Sequence, residues 1–181
     1  MTASARRGWR TAVVVACVLL ASQQNQATTT DEITLSCPVC SHKFQTQVVL
    51  STNNFGGQDA DLYVRAAGDS PVPFYPKVCP ICSYAGYSDD FDDTVRFADS
   101  TRASLKKRLS EHAGPAEQQV TSIRAPWMSF EQIAYTYEIL GKPTEEIAYA
   151  YLCASWCVRE VKETLPGIPE DMWRAASSLG D

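Results

Sequence analysis

CPVC at residues 37–40 and CPIC at residues 79–82 are the stretches that decide the fold of this chain. Each holds two cysteines with two residues between them, and 38 residues separate Cys40 from Cys79. Two intervening residues let both sulfurs of a pair point from one tight turn to one point in space. Two such knuckles facing each other supply the four thiolates of a tetrahedral structural zinc site. The sequence therefore predicts a zinc ribbon that binds Zn²⁺ through Cys37, Cys40, Cys79 and Cys82.

A CPxC pair has other uses, because it can form a disulfide or serve as a dithiol redox site. In redox proteins the first cysteine lies at the N-terminus of a helix that follows a strand. Here residues 44–50 are β-rich and residues 83–87 are aromatic and typical of a loop. The duplication of the knuckle favours zinc over both alternatives. Four thiolates close the site, so the predicted zinc would hold the fold and catalyse nothing.

Composition and charge indicate a globular protein and argue against nucleic-acid binding. The chain has 181 residues, of which 45% are hydrophobic and 20% charged, which is typical of a globular protein with one modest domain or two small ones. The net charge is −5, although Arg6, Arg7 and Arg10 are the only charges in the first 27 residues, so the remainder is more acidic still. Binding to a phosphate backbone needs clustered lysines and arginines. We therefore predict no nucleic-acid partner.

Residues 1–27 read as an export signal or a short anchor. Basic residues 6–10 precede an uncharged run at 11–21, which is shorter than the roughly 20 residues that a membrane-spanning helix needs. The prediction is a periplasmic or extracellular protein that meets a membrane only through this segment, if the segment is uncleaved or lipidated. A cytoplasmic chain is the alternative. Paired cysteines tend to oxidise after export, but the Arg6-Arg7 pair partly matches a twin-arginine signal, which carries proteins that are already folded.

Residues 31–91 form the predicted ribbon. Residues 44–50 and 62–64 are predicted as strands, and residues 74–78 as an edge strand or extended segment that leads into the second knuckle. So small a β-unit buries little apolar area, whereas zinc ligation contributes on the order of 10 kcal/mol to folding. The metal is therefore expected to make this unit fold.

Residues 92–181 form the predicted helical domain. Helices are expected at residues 92–112, 129–141, 145–165 and 169–179. Asp92 or Asp93 would cap the first, and Ser129 with Gln132 forms a capping box for the second. The third is apolar nearly all round and is predicted to be the central buried helix. The fold class is therefore α+β, with a small β-rich zinc ribbon followed by an all-α region of helical hairpins.

The stretches CPVCSHKF and VCPICSYAGYSDDF carry a resemblance to a known family. The chain resembles, over residues 35–160, a bacterial family of unknown function in which a two-knuckle zinc ribbon precedes tetratricopeptide-like helical hairpins. The resemblance implies that the four knuckle cysteines hold the metal, and it places Asp59 and Asp61 on a D-x-D step of no known role. The chain departs from the family at Ser41 and Ser83, where the family has the glycine that eases a positive φ.

Other residues with metal-binding side chains have simpler roles. His42 could replace a thiolate, but it is predicted to face solvent because four cysteines already fill the site. Cys153 and Cys157 could form a second metal half-site, but free cysteine is most often a small buried apolar residue. The aspartates could bind a cation, but turn and cap roles explain them more simply. They are Asp59, Asp61, Asp89, Asp90, Asp92 and Asp93.

The sequence favours a protein without enzymatic activity. It contains no nucleophile elbow, phosphate-binding loop or HExxH motif, and its two histidines give acid–base chemistry little to work with. The leading hypothesis is a non-enzymatic zinc-ribbon interaction module whose helical part binds a protein partner. The alternative is an extracytoplasmic thiol–disulfide redox protein that uses one CPxC pair. The sequence does not identify the partner.

Overall fold

The computed structural model describes residues 27–112 and 125–164, with side chains as far as residue 160 in the second range. The predicted export signal, apart from Ala27, and the predicted helix at 169–179 lie outside the described residues. The described chain forms two β-hairpins, two 3-10 turns and three α-helices, which confirms the α+β prediction. In chain order these are β1 (Thr29–Ser36), β2 (Lys43–Ser51), a 3-10 turn (Val72–Phe74), β3 (Lys77–Val78), β4 (Ala85–Gly86), a second 3-10 turn (Ser88–Phe91), α1 (Asp99–His112), α2 (Pro126–Leu140) and α3 (Thr144–Thr164).

Each β-hairpin encloses one knuckle. Strands β1 and β2 pair antiparallel with Leu35 opposite Phe44, and β3 and β4 pair antiparallel with Val78 opposite Ala85. The predicted strand at 44–50 is confirmed as β2. Because each cysteine pair lies in the connection between two paired strands, the hairpins determine where the four sulfurs point.

Two predicted strand segments differ from the structure. Residues 62–64 make a single bridge, between Val64 and Gln58, because the chain turns at Leu62, whose N–H donates to the carbonyl of Asp59. Within 74–78, only Lys77 and Val78 are in a strand, since Phe74 ends a 3-10 turn. Both segments make few backbone hydrogen bonds with other strands, so an apolar pattern alone was not enough to predict a strand.

Two helices begin at residues other than those predicted. Helix α1 begins at Asp99 rather than near Asp92, because the Asp92 carboxylate accepts the N–H of Thr94 at 2.8 Å and caps a turn instead. Helix α2 begins at Pro126, three residues before the predicted cap at Ser129. Proline suits the first turn of a helix because the N–H that it lacks would have no partner there. The predicted end of α2 at Gly141 is confirmed by its left-handed φ of 65°.

Helix α3 matches its predicted range, but it is buried on one side only. Its buried residues are Ala150, Cys153, Ala154, Trp156 and Cys157. Tyr149 and Tyr151 are 48% and 47% exposed, so the predicted burial nearly all round the helix is wrong. Among the described residues, no helix combines the length and the apolar character needed to cross a membrane.

The helices pack directly on the β-hairpins through two cores. The hairpin core joins α2 and α3 to buried residues of the preceding chain, namely Tyr63, Val72 and Ala85. The knuckle core joins buried residues around the cysteines to Leu105 and Leu109 of α1 and to α2 residues packed at its edge; these are Cys37, Val39, Cys79, Tyr84 and Phe91, with Tyr135, Ile139 and Leu140. Each core therefore contains residues of both segments, 31–91 and 92–181.

Gly86 permits the close approach that connects β4 to the second 3-10 turn. A Cβ atom at Gly86 would lie 2.6 Å from the Cβ of Asp90, which is closer than side chains tolerate. The Asp90 carboxylate accepts the N–H of Tyr87 at 2.8 Å and the hydroxyl of Tyr137 at 2.6 Å. This glycine therefore lets a carboxylate join the segment after the second knuckle to α2.

Candidate metal centre

The two knuckles have the same backbone hydrogen bonds. In the first, the N–H of Cys37 donates to the carbonyl of His42 at 2.9 Å, and the N–H of Ser41 donates to the carbonyl of Cys37 at 2.8 Å. In the second, the N–H of Cys79 donates to the carbonyl of Tyr84 at 2.8 Å, and the N–H of Ser83 donates to that of Cys79 at 3.0 Å. Each knuckle is therefore a closed turn that holds its two cysteines on one side.

Both turns require a left-handed residue directly after the second cysteine. Ser41 has φ 61° and Ser83 has φ 58°. These are the positions where the sequence lacks the glycine of the family pattern, so serine adopts the conformation that glycine would adopt more easily.

The knuckles bring the four cysteine sulfurs together. All four Sγ atoms lie within 4.8 Å of one another, and the Cys37–Cys82 and Cys40–Cys79 sulfurs are each 3.5 Å apart. A disulfide needs a separation of about 2.05 Å, so these cysteines are free thiols. Zinc–sulfur bonds of about 2.3 Å in a tetrahedron place sulfurs roughly 3.8 Å apart. The four donors therefore fit a zinc ion.

Electrostatics within the cluster favour a bound cation. The thiols of Cys37 and Cys82 lower the pKa of Cys79, whose sulfur accepts their hydrogen bonds. Hydrogen bonds with Cys37 and Cys79, together with burial, raise the pKa of Cys82. Cys37 and Cys79 are only 1% and 0% exposed. Four thiolates so close together, two of them fully buried, would repel one another unless a cation of high charge lay between them.

Aromatic side chains form one wall around the cysteines. The Tyr84 ring makes edge contacts with Phe91 at 5.2 Å and with Phe97 at 5.8 Å, and Phe91 contacts Phe44 at 5.6 Å. These rings belong to both hairpins and to the chain before α1. They limit the access of water to the cluster from that side.

The other cysteines and His42 lie apart from the cluster. His42 is exposed and contributes only its carbonyl to the knuckle, as the sequence predicted for a solvent-facing residue. Cys153 and Cys157 are buried in the hairpin core on α3. Within the described residues, the knuckle cysteines form the only group of three or more metal-binding side chains.

Sequence reasoning missed the partners of the D-x-D step. The Asp61 carboxylate accepts the Nη1 of Arg159 at 2.7 Å and the indole Nε1 of Trp156 at 3.0 Å. Asp59 binds Arg65 at 2.9 Å and Arg159 at 3.0 Å. The Arg159 hydrogen bond lowers the pKa of Asp61, so the carboxylate is charged near neutral pH. We call this group of five residues the aspartate clasp, because it holds the 59–65 turn against α3.

Tyr63 lies at the centre of the aspartate clasp. Its ring stacks on Trp156 at 5.2 Å, and the guanidinium carbons of Arg65 and Arg159 each lie 5.4 Å from its centroid. Its hydroxyl donates to Glu160. The alternation of Asp59, Asp61, Tyr63 and Arg65 in the sequence was the available signal, but the partners on α3 are nearly one hundred residues away.

A buried lysine next to the second knuckle was also missed. Lys77 is 2% exposed, and its ammonium donates to the carbonyls of Gln47, at 2.7 Å, and Phe74. Burial lowers its pKa to about 8. The two carbonyl contacts join β2 to the 3-10 turn before the knuckle, which is a structural role.

Comparison with known proteins supports the family that the knuckles suggested. No curated protein and no solved structure shows significant similarity to the chain. The model of a family described as an uncharacterized protein conserved in bacteria matches residues 31–176, which include both knuckles, the aspartate clasp and all three described helices. The chain therefore belongs to this uncharacterized bacterial family, DUF2225.

Proposed function

We propose that the chain is a zinc protein whose metal has a structural role and whose helices serve as a non-enzymatic module for binding another protein. The observation that carries this proposal is the convergence of four cysteine sulfurs within 4.8 Å of one another. Four thiolates satisfy tetrahedral zinc completely. Such a site has no position for a substrate or an activated water, so its contribution is to folding.

The position of the cluster supports a structural role. Its cysteines belong to the knuckle core, in which Leu105 and Leu109 of α1 are fully buried. A metal held there would connect the two hairpins and provide a firm surface for α1. Structural zinc contributes on the order of 10 kcal/mol to folding, far more than two small hairpins obtain from apolar burial.

The thiol–disulfide alternative receives less support from the geometry. A catalytic CPxC cysteine is activated at a helix N-terminus, whereas β2 follows the first knuckle and β4 follows the second. Both pairs also converge on one point, which a single redox pair does not need. Reactive thiols of low pKa in protein isolated without metal would favour the redox alternative over the zinc proposal.

Replacing Cys79 with serine tests the zinc centre. We expect the purified Cys79→Ser chain to lose its zinc, from about one ion per chain, because three thiolates cannot close the site. The measurement is elemental analysis together with circular dichroism. His42→Ala and Cys153→Ala are the controls, and both should keep the metal. Full zinc retention by Cys79→Ser would contradict the assignment.

A further inference from the structure

A small cleft lies beside the turn between α2 and α3. It has a volume of about 220 Å³ and is lined by Tyr87, Tyr137, Tyr149, Glu145 and Glu146; we call it the tyrosine cleft. A second cavity, of about 370 Å³, shares Tyr87 and Tyr149 with it and extends toward β2. The tyrosine cleft shares no residue with the cysteine cluster or the aspartate clasp, although its Tyr149 ring contacts Trp156 of the clasp.

Packing holds the rings of the tyrosine cleft in place. The Tyr87 and Tyr137 rings lie 6.4 Å apart at 63°, and the Tyr149 ring meets Trp156 edge-on at 6.1 Å. The hydroxyl of Tyr137 donates to Asp90 at 2.6 Å. Aromatic rings attract cations through their negative faces, so fixed rings form a preorganised cation site.

Two of the residues that line the cleft already contact a cation of the same chain. The ammonium of Lys142 lies 5.1 Å from the Tyr137 ring centroid and 3.3 Å from the Glu146 carboxylate. Glu145, on the same helical turn, is exposed, and no basic side chain of the described residues pairs with it. The cleft therefore has two glutamates for one lysine.

The neighbouring cavity does not reverse this excess of negative charge. Its lysine, Lys77, has its ammonium bound to two backbone carbonyls, and the same cavity is lined by the exposed Asp89. The combination of tyrosine rings, an excess of carboxylates and a volume suited to one side chain favours a single organic cation as the ligand of this cleft.

We propose that the tyrosine cleft binds a lysine or arginine side chain of the protein partner, a step that rests on the proposed function. The cation would lie against Tyr149 and Glu145, two of the cleft residues that Lys142 does not contact. An acidic chain with net charge −5 would also attract a basic partner over a longer range. The partner segment is expected to be basic and extended enough to present one side chain to the cleft.

Peptide binding to the zinc-loaded chain tests this proposal. The probe is a synthetic peptide that alternates arginine and glycine, titrated at low ionic strength by calorimetry, with its arginine-to-glutamine counterpart for comparison. Tyr149→Ala should weaken binding on the order of fivefold, as expected for loss of a partly exposed cation–π contact. Tyr151→Ala is the matched control, because Tyr151 is equally exposed on α3 but lies outside the cleft. It should leave binding unchanged.

Charge variants provide a second test. Lys142→Ala should strengthen binding severalfold because it removes the internal competitor, whereas Lys107→Ala, which makes the same charge change on α1, should not. Glu145→Gln should weaken binding, whereas Glu111→Gln on α1 should not.

Several outcomes would contradict the proposal that the tyrosine cleft binds a basic side chain. They are equal effects in Tyr149→Ala and Tyr151→Ala, no gain in Lys142→Ala, or equal binding of the glutamine peptide. If tetramethylammonium bound with the same affinity as the arginine peptide, the ligand would be a small cation rather than a side chain of a protein partner. Zinc content is measured in every sample. If the zinc-loaded chain fails to bind the peptide, the proposed cleft is rejected and the proposed function is not. If the wild-type chain holds no zinc, the proposed function is rejected.

Discussion

Ser41 and Ser83 show how a single residue can oppose the local fold. An L-residue in the left-handed region costs roughly 1–2 kcal/mol because its Cβ approaches the following carbonyl oxygen. Both knuckles nevertheless adopt this conformation, with φ 61° and 58°. Two backbone hydrogen bonds and two cysteines that point inward hold each turn closed. These contacts therefore hold the serine in the left-handed conformation although serine on its own disfavours it.

We predict that Ser41→Gly stabilises the zinc-bound protein by about 0.5–1 kcal/mol. Glycine relieves the left-handed strain but loses more conformational freedom on folding, which offsets about 0.5–1 kcal/mol of the gain. Ser41 is exposed, so the substitution removes no buried contact. Denaturant unfolding at saturating zinc measures the change.

The control for this prediction is Ser104→Gly, at an exposed position inside α1. It should destabilise the chain by about 0.5 kcal/mol, because glycine is a poorer helix former than serine. Destabilisation by Ser41→Gly as well would show that the knuckle turn does not strain its serine.

At the scale of the element, α3 has two sides with different roles. One side carries Trp156, which is 6% exposed, stacks on Tyr63 and donates to Asp61. The other side carries Tyr151, whose hydroxyl contact with Glu138 is 3.5 Å long and exposed to solvent. The helix therefore joins the hairpin core and the aspartate clasp through one stripe of residues.

We predict that Trp156→Ala destabilises the protein by about 3–5 kcal/mol, since it removes a buried ring and leaves Asp61 without its indole partner. Tyr151→Ala should change stability by no more than about 0.5 kcal/mol, as expected of an exposed residue. Thermal unfolding of both variants measures the difference. Equal melting temperatures would show that Trp156 belongs to a binding surface rather than to the core.

Helix α1 depends on the knuckle core more than the other helices do. Its two fully buried residues, Leu105 and Leu109, both belong to that core, and the rest of its described surface is partly or fully exposed. Helices α2 and α3 pack on each other and share the hairpin core. A short helix with one narrow contact face has little stability of its own.

At the scale of the whole molecule, this arrangement couples the proposed metal to the helices. We predict that removal of zinc with a chelator abolishes hydrogen-exchange protection in α1, while the α2–α3 pair retains part of its protection. The reason is that the four cysteines belong to the same core as Leu105 and Leu109 of α1, whereas the hairpin core contains none of the four. Peptide-resolved exchange with and without the chelator is the measurement.

Re-addition of zinc should restore the protection of α1 in the same sample. Full protection of α1 in metal-free protein would mean that the knuckle core is stable without its ion. Simultaneous loss of protection in all three helices would mean that the two cores unfold as one unit.

The features that the sequence alone determined are the local ones. Two residues between cysteines define a knuckle, a glycine ends α2, and the apolar period of residues 145–165 predicts α3, because each depends on neighbours in the chain. The repetition of the knuckle also predicted the cluster of Cys37, Cys40, Cys79 and Cys82 that the structure forms.

The remaining features required the tertiary structure, because they depend on residues that are distant in sequence. Asp61 has the turn role predicted for it, because its carboxylate accepts the N–H of Tyr63, but it also binds Arg159, 98 positions later. The exposure of Tyr149 and Tyr151 likewise depends on which surfaces the two cores cover. Periodicity shows which residues of a helix share a face, but only the packing of other elements decides which face is buried and which is left for a partner.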